Sequence, residues 1–285
     1  MAKNFHIFGK GISFSVSPTI HNAGFQHYGL PFTYTIHESD SIDEVATLIA
    51  SDCFGGASVT MPHKLQVHKF CNNQTETARL IGAINTLLVK GNGSDRIITG
   101  DNTDWSGLRS IMAAYSTKTQ IQPSTGLVIG AGGASRAALY ALHQAGVKRI
   151  YLVNRTLATA EKVRNDFKNA FDIKVIPSLQ DLPEKPDVVI GTVPAETTTA
   201  DQFSSLFGDR GLCVDMSYKP RQTPLLTAAQ QNQGWDMVTG VEVLLAQAFD
   251  QFLLWTGLEP PRDIMAEAVV VLDGERATMD KGGML

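Results

Sequence analysis

A glycine-rich turn between an apolar strand and a helix constrains the fold of this chain more than any other feature. The segment GLVIGAGGASRAALYALHQAG begins at Gly126, and its predicted strand, 127–129, runs directly into glycines. Glycines in such a turn let the backbone approach a pyrophosphate, and the helix that follows, 134–145, offers it free N–H groups. The same turn also occurs as a plain strand-to-helix connection. The candidate nucleotide contacts are Gly130, Gly132, Gly133 and Ala134.

The end of the next predicted strand, 149–153, favours the nucleotide interpretation and indicates which nucleotide binds. It is followed by Asn154, Arg155 and Thr156, where a dinucleotide-binding domain places the group that contacts the adenosine ribose. An acidic residue there would favour NAD. Asn154 and Arg155 instead offer donors and a planar cation suited to a 2′-phosphate, so the sequence predicts NADP. The alternative is that Arg155 is only a solvated loop residue.

Three later segments predict further strands of the same domain. They are DVVIGTVPAE, GLCVDMS and DMVTG. In an open parallel sheet the loops after such strands face the ligand crevice, which adds Thr192 and Gly240 to the cofactor candidates.

The N-terminal part of the chain alternates strands and helices, which predicts a second, mostly parallel sheet covered on both faces. A helix at 41–51 is expected to be capped by Ser41, with Glu44 three residues on. Pro62 is expected to open another helix. A polar loop, STKTQIQPSTG, precedes the nucleotide-binding strand and separates the two α/β domains.

Composition excludes several classes of protein. The net charge is −4 with scattered Lys and Arg, which gives no basic field for nucleic acid. We find no apolar run near the ~18 residues of a spanning helix, and the N-terminus lacks the features of a signal peptide, so a cytoplasmic protein is expected. The three cysteines share no disulfide or metal spacing and are interpreted as reduced thiols. His63, His68 and Cys71 do not have the spacing of ligands on one helix face, and no metal is predicted.

Eight motifs together give the chain its resemblance to a known family. They are SxSPxxHN from Ser15, SVTMPHK from Ser58, IGAINTL from Ile81, GDNTD from Gly100, GAGGASR from Gly130, NRT from Asn154, DMSYKP from Asp215 and LLAQAFDQFLLWTG from Leu244. In order and interval they resemble the shikimate dehydrogenase family over nearly the whole chain. The wording of GASVTMPHK and TVPAE is most similar to fungal members, notably the dehydrogenase domain of the pentafunctional aromatic-biosynthesis polypeptide and its relatives in quinate use.

The resemblance implies two domains with the active site in the cleft between them. Residues 1–104 and 241–285 would form the α/β substrate domain, and 105–240 a Rossmann-like, doubly wound NADP domain. The reaction would be reversible NADP-dependent reduction of 3-dehydroshikimate to shikimate. The chain would be either an excised part of a larger multidomain polypeptide or a protein that stands alone.

The resemblance also assigns residues to the substrate. Reduction of a ketone needs a hydride and a proton, and Lys64 with Asp104 is the candidate proton-transfer pair, the alternative being a simple ion pair. Ser15 and Ser17 would hold the substrate carboxylate, although Ser17 has a second possible role as the N-cap of the helix that Pro18 starts. The remaining substrate candidates are Thr60, Asn85 and Gln247 for the ring hydroxyls and Tyr218 near the carboxylate.

Three hypotheses follow for the function. The first is an NADP-dependent shikimate dehydrogenase, which Lys64 and Asp104 favour. The second is a quinate dehydrogenase, against which Ser17 argues. The third is a dehydrogenase-like metabolite-sensing domain of a fungal quinate-pathway transcription repressor, kept open by two departures from the family pattern, Phe14 and Gly191. Glu242 is a further departure, because it places a charge where glycine is common.

Overall fold

The computed structural model describes the backbone of residues 2–282 and the side chains of 2–93 and 95–273. Met1 and residues 283–285, which the predicted substrate domain includes, lie outside these. The protein is α/β with two mostly parallel sheets, as the sequence predicts. It divides into two compact units. Unit 1 comprises the chain up to Arg79, Ile84–Thr103 and the residues from Ala248, and unit 2 comprises Leu80–Ala83 and Asp104–Gln247.

The described residues form twelve strands and nine α-helices. The strands are β1 (Lys3–Gly9), β2 (Phe32–Glu38), β3 (Phe54–Val59), β4 (Asn73–Gln74), β5 (Thr86–Lys90), β6 (Ile97–Asp101), β7 (Thr125–Ile129), β8 (Arg149–Val153), β9 (Lys174–Ile176), β10 (Val188–Gly191), β11 (Gly211–Asp215) and β12 (Trp235–Val238). The helices are α1 (Ser17–His27), α2 (Ala46–Ala50), α3 (Glu76–Ile81), α4 (Asp104–Thr119), α5 (Gly133–Gln144), α6 (Leu157–Phe167), α7 (Pro224–Gln230), α8 (Gly240–Thr256) and α9 (Arg262–Gly282).

The division into units differs slightly from the predicted domains. Leu80–Ala83, Asp104 and residues 241–247 fall in unit 2, whereas the sequence places them in the substrate domain. The assignment of residues 1–104 with 241–285 to substrate, and of 105–240 to NADP, remains a prediction.

The sheet of unit 1 has the strand order β2-β1-β3-β5-β6-β4. β5 runs antiparallel to β3 and β6, and the other neighbours are parallel. Ser58 pairs with Thr86, and Thr86 with Asp101. The start of β5 therefore lies beside the carboxyl ends of β1, β3 and β6, along the edge of the sheet that these strand ends form.

The core of unit 1 is unusually aromatic on the side where α1 and the end of α8 pack. Phe5, Phe25 and Trp255 are in ring contact at centroid distances of 5.2 and 5.0 Å from Phe5. A Cβ on Gly24 would lie 2.7 Å from the ring of Phe252, so glycine lets α1 approach α8 closely. Phe252 is fully buried in this packing and Trp255 is half-buried.

The sheet of unit 2 is parallel throughout, in the order β12-β11-β10-β7-β8-β9. Leu127 and Ile129 belong to one hydrophobic cluster and Val128 to another, because successive residues of a strand point to opposite faces. Both faces are covered, as expected for parallel strands. The order reverses between β7 and β10, and such a switch point is where doubly wound sheets bind ligands.

Two local predictions are wrong, and one is confirmed. Ser17 is not an N-cap: α1 begins at Ser17 itself, and the N-cap position is Val16. Pro62 does not open an α-helix. It follows a cis peptide bond, and two 3₁₀ turns, His63–Leu65 and Val67–Phe70, come next. The carbonyl of Lys64 accepts from Ile84 N (2.9 Å), which takes it away from helical pairing.

The confirmed detail is the capping box of the segment from Ser41. The Glu44 carboxylate accepts from Ser41 N at 2.8 Å, and the first turn, Ile42–Val45, is 3₁₀ before α2 continues it. In the part of the chain that the structure describes, the helices are all too short or too polar to cross a bilayer.

Candidate active site

The serine pair lies in the connection between β1 and α1 in unit 1. Both side chains are buried, and Ser15 Oγ donates to Ser17 Oγ at 3.2 Å. Ser15 Oγ also accepts from Ser17 N (3.3 Å), so it is Ser15 that contacts the first N–H of the helix. The two hydroxyls therefore lie together at a helix N-terminus, where the partial positive charge favours an anion.

Glu38, at the end of β2, holds the loop that precedes the serines. Its Oε1 accepts hydrogen bonds from the backbone N–H groups of Ile12 and Ser13, the latter at 2.9 Å. Sequence reasoning missed this residue. The partners are 25 and 26 positions apart, and only the parallel pairing of β1 with β2 brings them together.

Two further substrate candidates, Thr60 and Asn85, and the proton-transfer candidate Lys64 lie at the same edge of this sheet. Thr60 follows β3, and its N–H donates to Phe8 O (2.9 Å) at the end of β1. Asn85 precedes β5, and its carbonyl accepts from Val59 N (2.7 Å). Lys64 is half-buried and is linked to the residue before Asn85 by the bond from Ile84 N. Two segments of the sequence, 59–64 and 84–85, are thus joined by backbone hydrogen bonds, and this brings Thr60, Lys64 and Asn85 to the same part of the sheet.

The side chain of Asn85 is held by hydrogen bonds at both ends of its amide. Oδ1 accepts from Thr103 N (2.7 Å) and from Thr86 Oγ1 (2.7 Å). Nδ2 donates to Thr103 Oγ1 (3.0 Å). The amide is therefore fixed with its oxygen toward β5 and residue 103.

In unit 2, a close helix contact brings two more candidates together. A Cβ on Gly107 of α4 would lie 2.8 Å from the backbone nitrogen of Gln247 on α8, so only glycine permits this approach. Asp104 begins α4 and is buried, with 4% of its surface exposed. Gln247 is also buried and donates to Leu244 O (3.0 Å). Asp104 and Gln247 thus belong to the same helix pair, whereas Lys64 belongs to unit 1.

The glycine turn lies at the strand switch point of the second sheet. Gly130 has a φ of +111°, and a Cβ there would overlap Thr192 Oγ1 and lie 3.0 Å from Val193 Cγ1. Thr192 Oγ1 donates to Ile129 O (2.8 Å), which fixes it against the turn. Glycine is therefore required at 130 by both conformation and space.

The start of α5 is open at Gly132. A Cβ on Gly132 would meet no atom of the described residues within 4 Å, and among them no side chain caps the helix. Gly133 and Ala134 form its first turn. Ser135, the third small residue of the fingerprint, is buried and donates to Gly132 O (2.7 Å). This arrangement leaves N–H groups available to a phosphate.

The predicted ribose contacts follow β8 at the same edge. Asn154 Nδ2 donates to Thr156 O (2.9 Å), and Arg155 between them is exposed. Because the sheet is parallel, these residues, the glycine turn and Thr192 all lie at the carboxyl ends of strands. The structure thus brings together the cofactor candidates from three separate motifs.

A buried carboxyl organises the loop that carries Tyr218. Asp215, at the end of β11, accepts from Thr223 Oγ1 (2.7 Å) and Ser217 N (3.0 Å). Burial raises the pKa of this carboxyl, and the two hydrogen bonds act in the opposite direction. Tyr218 is half-buried in the loop so held.

Two glycines are explained by close packing around this loop. A Cβ on Gly191 would lie 2.6 Å from Leu225 Cδ2 and 3.0 Å from Asp215 Oδ1. A Cβ on Gly240 would lie 2.5 Å from Ser217 O. Packing alone therefore accounts for the glycine at 191, and Gly240 lets α8 begin against the Tyr218 loop.

Comparison with known proteins decides the family. The family model of the shikimate dehydrogenase substrate binding domain matches residues 7–87, that of shikimate/quinate 5-dehydrogenase matches 112–223, and that of the shikimate 5′-dehydrogenase C-terminal domain matches 240–270. The chain belongs to the shikimate dehydrogenase family. This confirms the resemblance drawn from the eight motifs.

Fungal members of the family are among its relatives. The pentafunctional AROM polypeptide of Malassezia globosa is 42% identical over 271 residues, which are 91% of this chain and 17% of that polypeptide. A solved structure of dehydroquinate dehydratase and shikimate dehydrogenase from Schizosaccharomyces pombe AroM is 38% identical, with a TM-score of 0.77, covering 95% of this chain and 53% of that one. The chain thus spans about a sixth of the curated polypeptide that it matches.

Two bacterial structures are similar over nearly their whole length. Shikimate 5-dehydrogenase from Thermus thermophilus, solved in complex with NADP(H) and shikimate, is 27% identical with a TM-score of 0.77, covering 93% of this chain and 98% of that one. Quinate dehydrogenase from Corynebacterium glutamicum, solved in complex with NAD, is 26% identical with a TM-score of 0.81, covering 95% and 99%. A shikimate dehydrogenase and a quinate dehydrogenase therefore both share the fold of this shikimate dehydrogenase family member.

Proposed function

We propose that this chain catalyses the reversible NADP-dependent reduction of 3-dehydroshikimate to shikimate. The observation that carries the proposal is the gathering of Ser15, Ser17, Thr60, Lys64 and Asn85 at one edge of the first sheet, in a member of the shikimate dehydrogenase family. Hydroxyls, an amide and an ammonium are the groups needed to bind a hydroxylated ring acid and to protonate its ketone oxygen.

Ser15 and Ser17 are the proposed ligands of the substrate carboxylate. The Ser15 hydroxyl donates its hydrogen bond to Ser17 Oγ, so the Ser17 hydroxyl is the one positioned to donate to a carboxylate oxygen. The start of α1 adds its positive end to the same place. Thr60, Asn85 and Gln247 are proposed to contact ring hydroxyls, and Tyr218 to lie near the carboxylate.

The residues around the glycine turn fit NADP. Gly130 and Gly132 present backbone without side chains at the start of α5, which suits a pyrophosphate, and Gly133, Ala134, Thr192 and Gly240 complete the proposed contact set. Asn154, Arg155 and Thr156 would hold the ribose and its 2′-phosphate. When bound, this cofactor supplies the hydride that adds to the ketone carbon and takes it back in the reverse direction.

The chain's own residues must move the proton. As the carbonyl carbon accepts a hydride, its oxygen becomes an alkoxide that needs one proton to become the alcohol. Lys64 and Asp104 are the residues proposed to carry out this transfer. A metabolite sensor has no need of such a pair, and one of the two features that favoured a sensor, Gly191, is explained by packing.

The test is the initial rate of NADPH formation from shikimate and NADP, followed by its absorbance. We expect Lys64→Ala to lower kcat by about 100-fold or more, as loss of a general acid does, with KM for NADP unchanged. Lys90→Ala, which removes an exposed lysine at the end of β5, is the matched control. Binding of shikimate without turnover by the wild-type protein would overturn the proposal, and faster turnover of quinate than of shikimate would reassign the substrate.

We also propose a cytosolic location for this activity. It rests on Cys53, Cys71 and Cys213, which are free thiols in the structure. Fractionation of cells expressing the tagged chain would check it.

A further inference from the structure

A chain of buried hydrogen bonds in unit 1 runs from the core to Asn85, one of the proposed substrate ligands. Tyr34 OH donates to Ser58 Oγ (2.6 Å), and Ser58 Oγ donates to Gln251 Oε1 (2.8 Å). Gln251 Nε2 donates to Thr86 Oγ1 (2.8 Å), and Thr86 Oγ1 donates to Asn85 Oδ1 (2.7 Å). All five side chains are at least nine-tenths buried, and Gln251 and Thr86 are fully buried.

The direction of this series of hydrogen bonds is fixed by backbone groups at two points. Gln251 faces the carbonyl oxygen of Asn85 at 3.2 Å, and because a carbonyl only accepts, the nitrogen of the Gln251 amide must lie there. Asn85 faces the N–H of Thr103 at 2.7 Å, and because an N–H only donates, the oxygen of the Asn85 amide must lie there. Neither amide can flip without placing like groups against each other.

The hydroxyls between these fixed points have one consistent direction. Ser58 accepts from Tyr34 and so donates to Gln251, and Thr86 accepts from Gln251 and so donates to Asn85. The amide of Asn85 is thereby held with Nδ2 on the side away from Thr86. Nδ2 donates one of its two N–H groups to Thr103 Oγ1 (3.0 Å), and this nitrogen, rather than the amide oxygen, is the atom that would meet a substrate ring hydroxyl.

We propose that Gln251 is a positioning residue that, through Thr86, acts with Thr103 N to hold the amide of Asn85 with Nδ2 as a hydrogen-bond donor to a substrate ring hydroxyl. This inference rests on the proposed function, since it concerns how the same substrate is held. It also gives Ser58 a purpose: the serine there is the acceptor for Tyr34 and the donor to Gln251, so residues 58 and 251 act as a pair. A buried amide retains its rotamer only while its partners are satisfied, because each unpaired buried group is costly.

The test is a double-mutant cycle on Gln251 and Asn85, read as KM for shikimate. Gln251→Met keeps the volume and removes both amide functions. In the wild-type background we expect it to raise KM for shikimate about 10-fold, within the range of coupling between residues in one network, with KM for NADP unchanged. In the Asn85→Ala background the same change should have little effect, since Gln251 acts through Asn85.

Controls separate this role from a purely structural one. Gln26→Met, at an exposed position of α1, should leave both KM values unchanged. Ser58→Ala is a smaller change that breaks the same series of hydrogen bonds, and it should also raise KM for shikimate. It provides the test if Gln251→Met does not fold. Equal effects of Gln251→Met with and without Asn85 would overturn the inference while leaving the proposed function intact. Absence of shikimate binding and turnover in the wild-type protein would overturn both.

Discussion

At the scale of single residues, two glycines two positions apart have different reasons to be glycine. Gly130 is forced by its positive φ and by Thr192, whereas the Cβ of an alanine at 132 would meet open space among the described residues. Gly130→Ala should therefore lower the free energy of unfolding by about 1–3 kcal/mol, the cost of a strained backbone position. Gly132→Ala should cost less, about 1 kcal/mol or under, because Gly132 is the N-cap of α5 and alanine is less favourable than glycine there.

The effect of Gly132→Ala should appear in its affinity for NADP more than in its stability. Gly132→Ala places a methyl group where the pyrophosphate is proposed to approach, so the Kd for NADP should rise although the fold is intact. Thermal unfolding and calorimetric titration with NADP measure the two effects. Unchanged NADP affinity in Gly132→Ala would argue against this turn as the nucleotide site.

Arg155 tests which nucleotide the chain prefers. It is exposed at the end of β8, so its removal should cost little stability. A charge-assisted hydrogen bond to a 2′-phosphate should be lost in Arg155→Ala, lowering kcat/KM for NADP about 10- to 100-fold while leaving NAD unaffected. Arg164→Ala, which removes an arginine paired with Glu161 on α6, is the matched control. Equal use of NAD and NADP by the wild-type protein would contradict the NADP assignment.

At the scale of elements, Glu242 shows that a departure from the family pattern can serve the helix that carries it. Thr239 N and Thr239 Oγ1 both donate to Glu242 Oε2, at 2.7 and 2.8 Å, at the point where α8 begins. This is a capping box, so the charge stabilises the start of the helix. Glu242→Gly should lower the free energy of unfolding by about 1–2 kcal/mol, from loss of the cap and the cost of glycine in a helix.

The conservative variant isolates the cap in that experiment. Glu242→Gln retains an acceptor for Thr239 and should recover most of the lost stability, measured by urea unfolding. A Glu242→Gly variant as stable as wild type would mean that the start of α8 is held by Gly240 packing alone.

Elements whose signals are local were predictable from the sequence, and those set by distant partners were not. The strand and glycine turn before α5 are encoded within a short stretch of sequence, as is the capping box at Ser41. The segment after Pro62 does not form the predicted helix because Lys64 O accepts from Ile84 N. These two residues are 20 positions apart and meet only where the strands of the first sheet end. Ser58 and Gln251 are 193 positions apart, and no local pattern links them.

At the scale of the whole molecule, acid should destabilise the fold through a buried histidine. His21 is fully buried, stacks on Tyr34 at a centroid distance of 4.6 Å, and has no hydrogen-bond partner for either ring nitrogen among the described residues. Burial lowers the pKa of His21 from 6.5 to about 3, and the Gln251 side chain acts in the opposite direction.

The sign of the pH effect follows from the two states of that ring. The unfolded chain binds a proton at His21 below about pH 6.5, whereas the folded protein keeps the ring neutral down to about pH 3. Unfolding therefore takes up a proton in this range. The free energy of unfolding has its full value above about pH 6.5 and falls by up to about 1.4 kcal/mol per pH unit as the pH decreases.

His21→Phe should remove this dependence. Between about pH 7 and pH 5 the free energy of unfolding of this variant should therefore fall by about 2 kcal/mol less than that of wild type. Urea unfolding followed by circular dichroism measures it, with His27→Phe at an exposed position of α1 as the control. Parallel losses of stability in His21→Phe and wild type would show that acid acts through other groups. One such group is the buried His6, because burial and the neighbouring His37 lower its pKa to about 4.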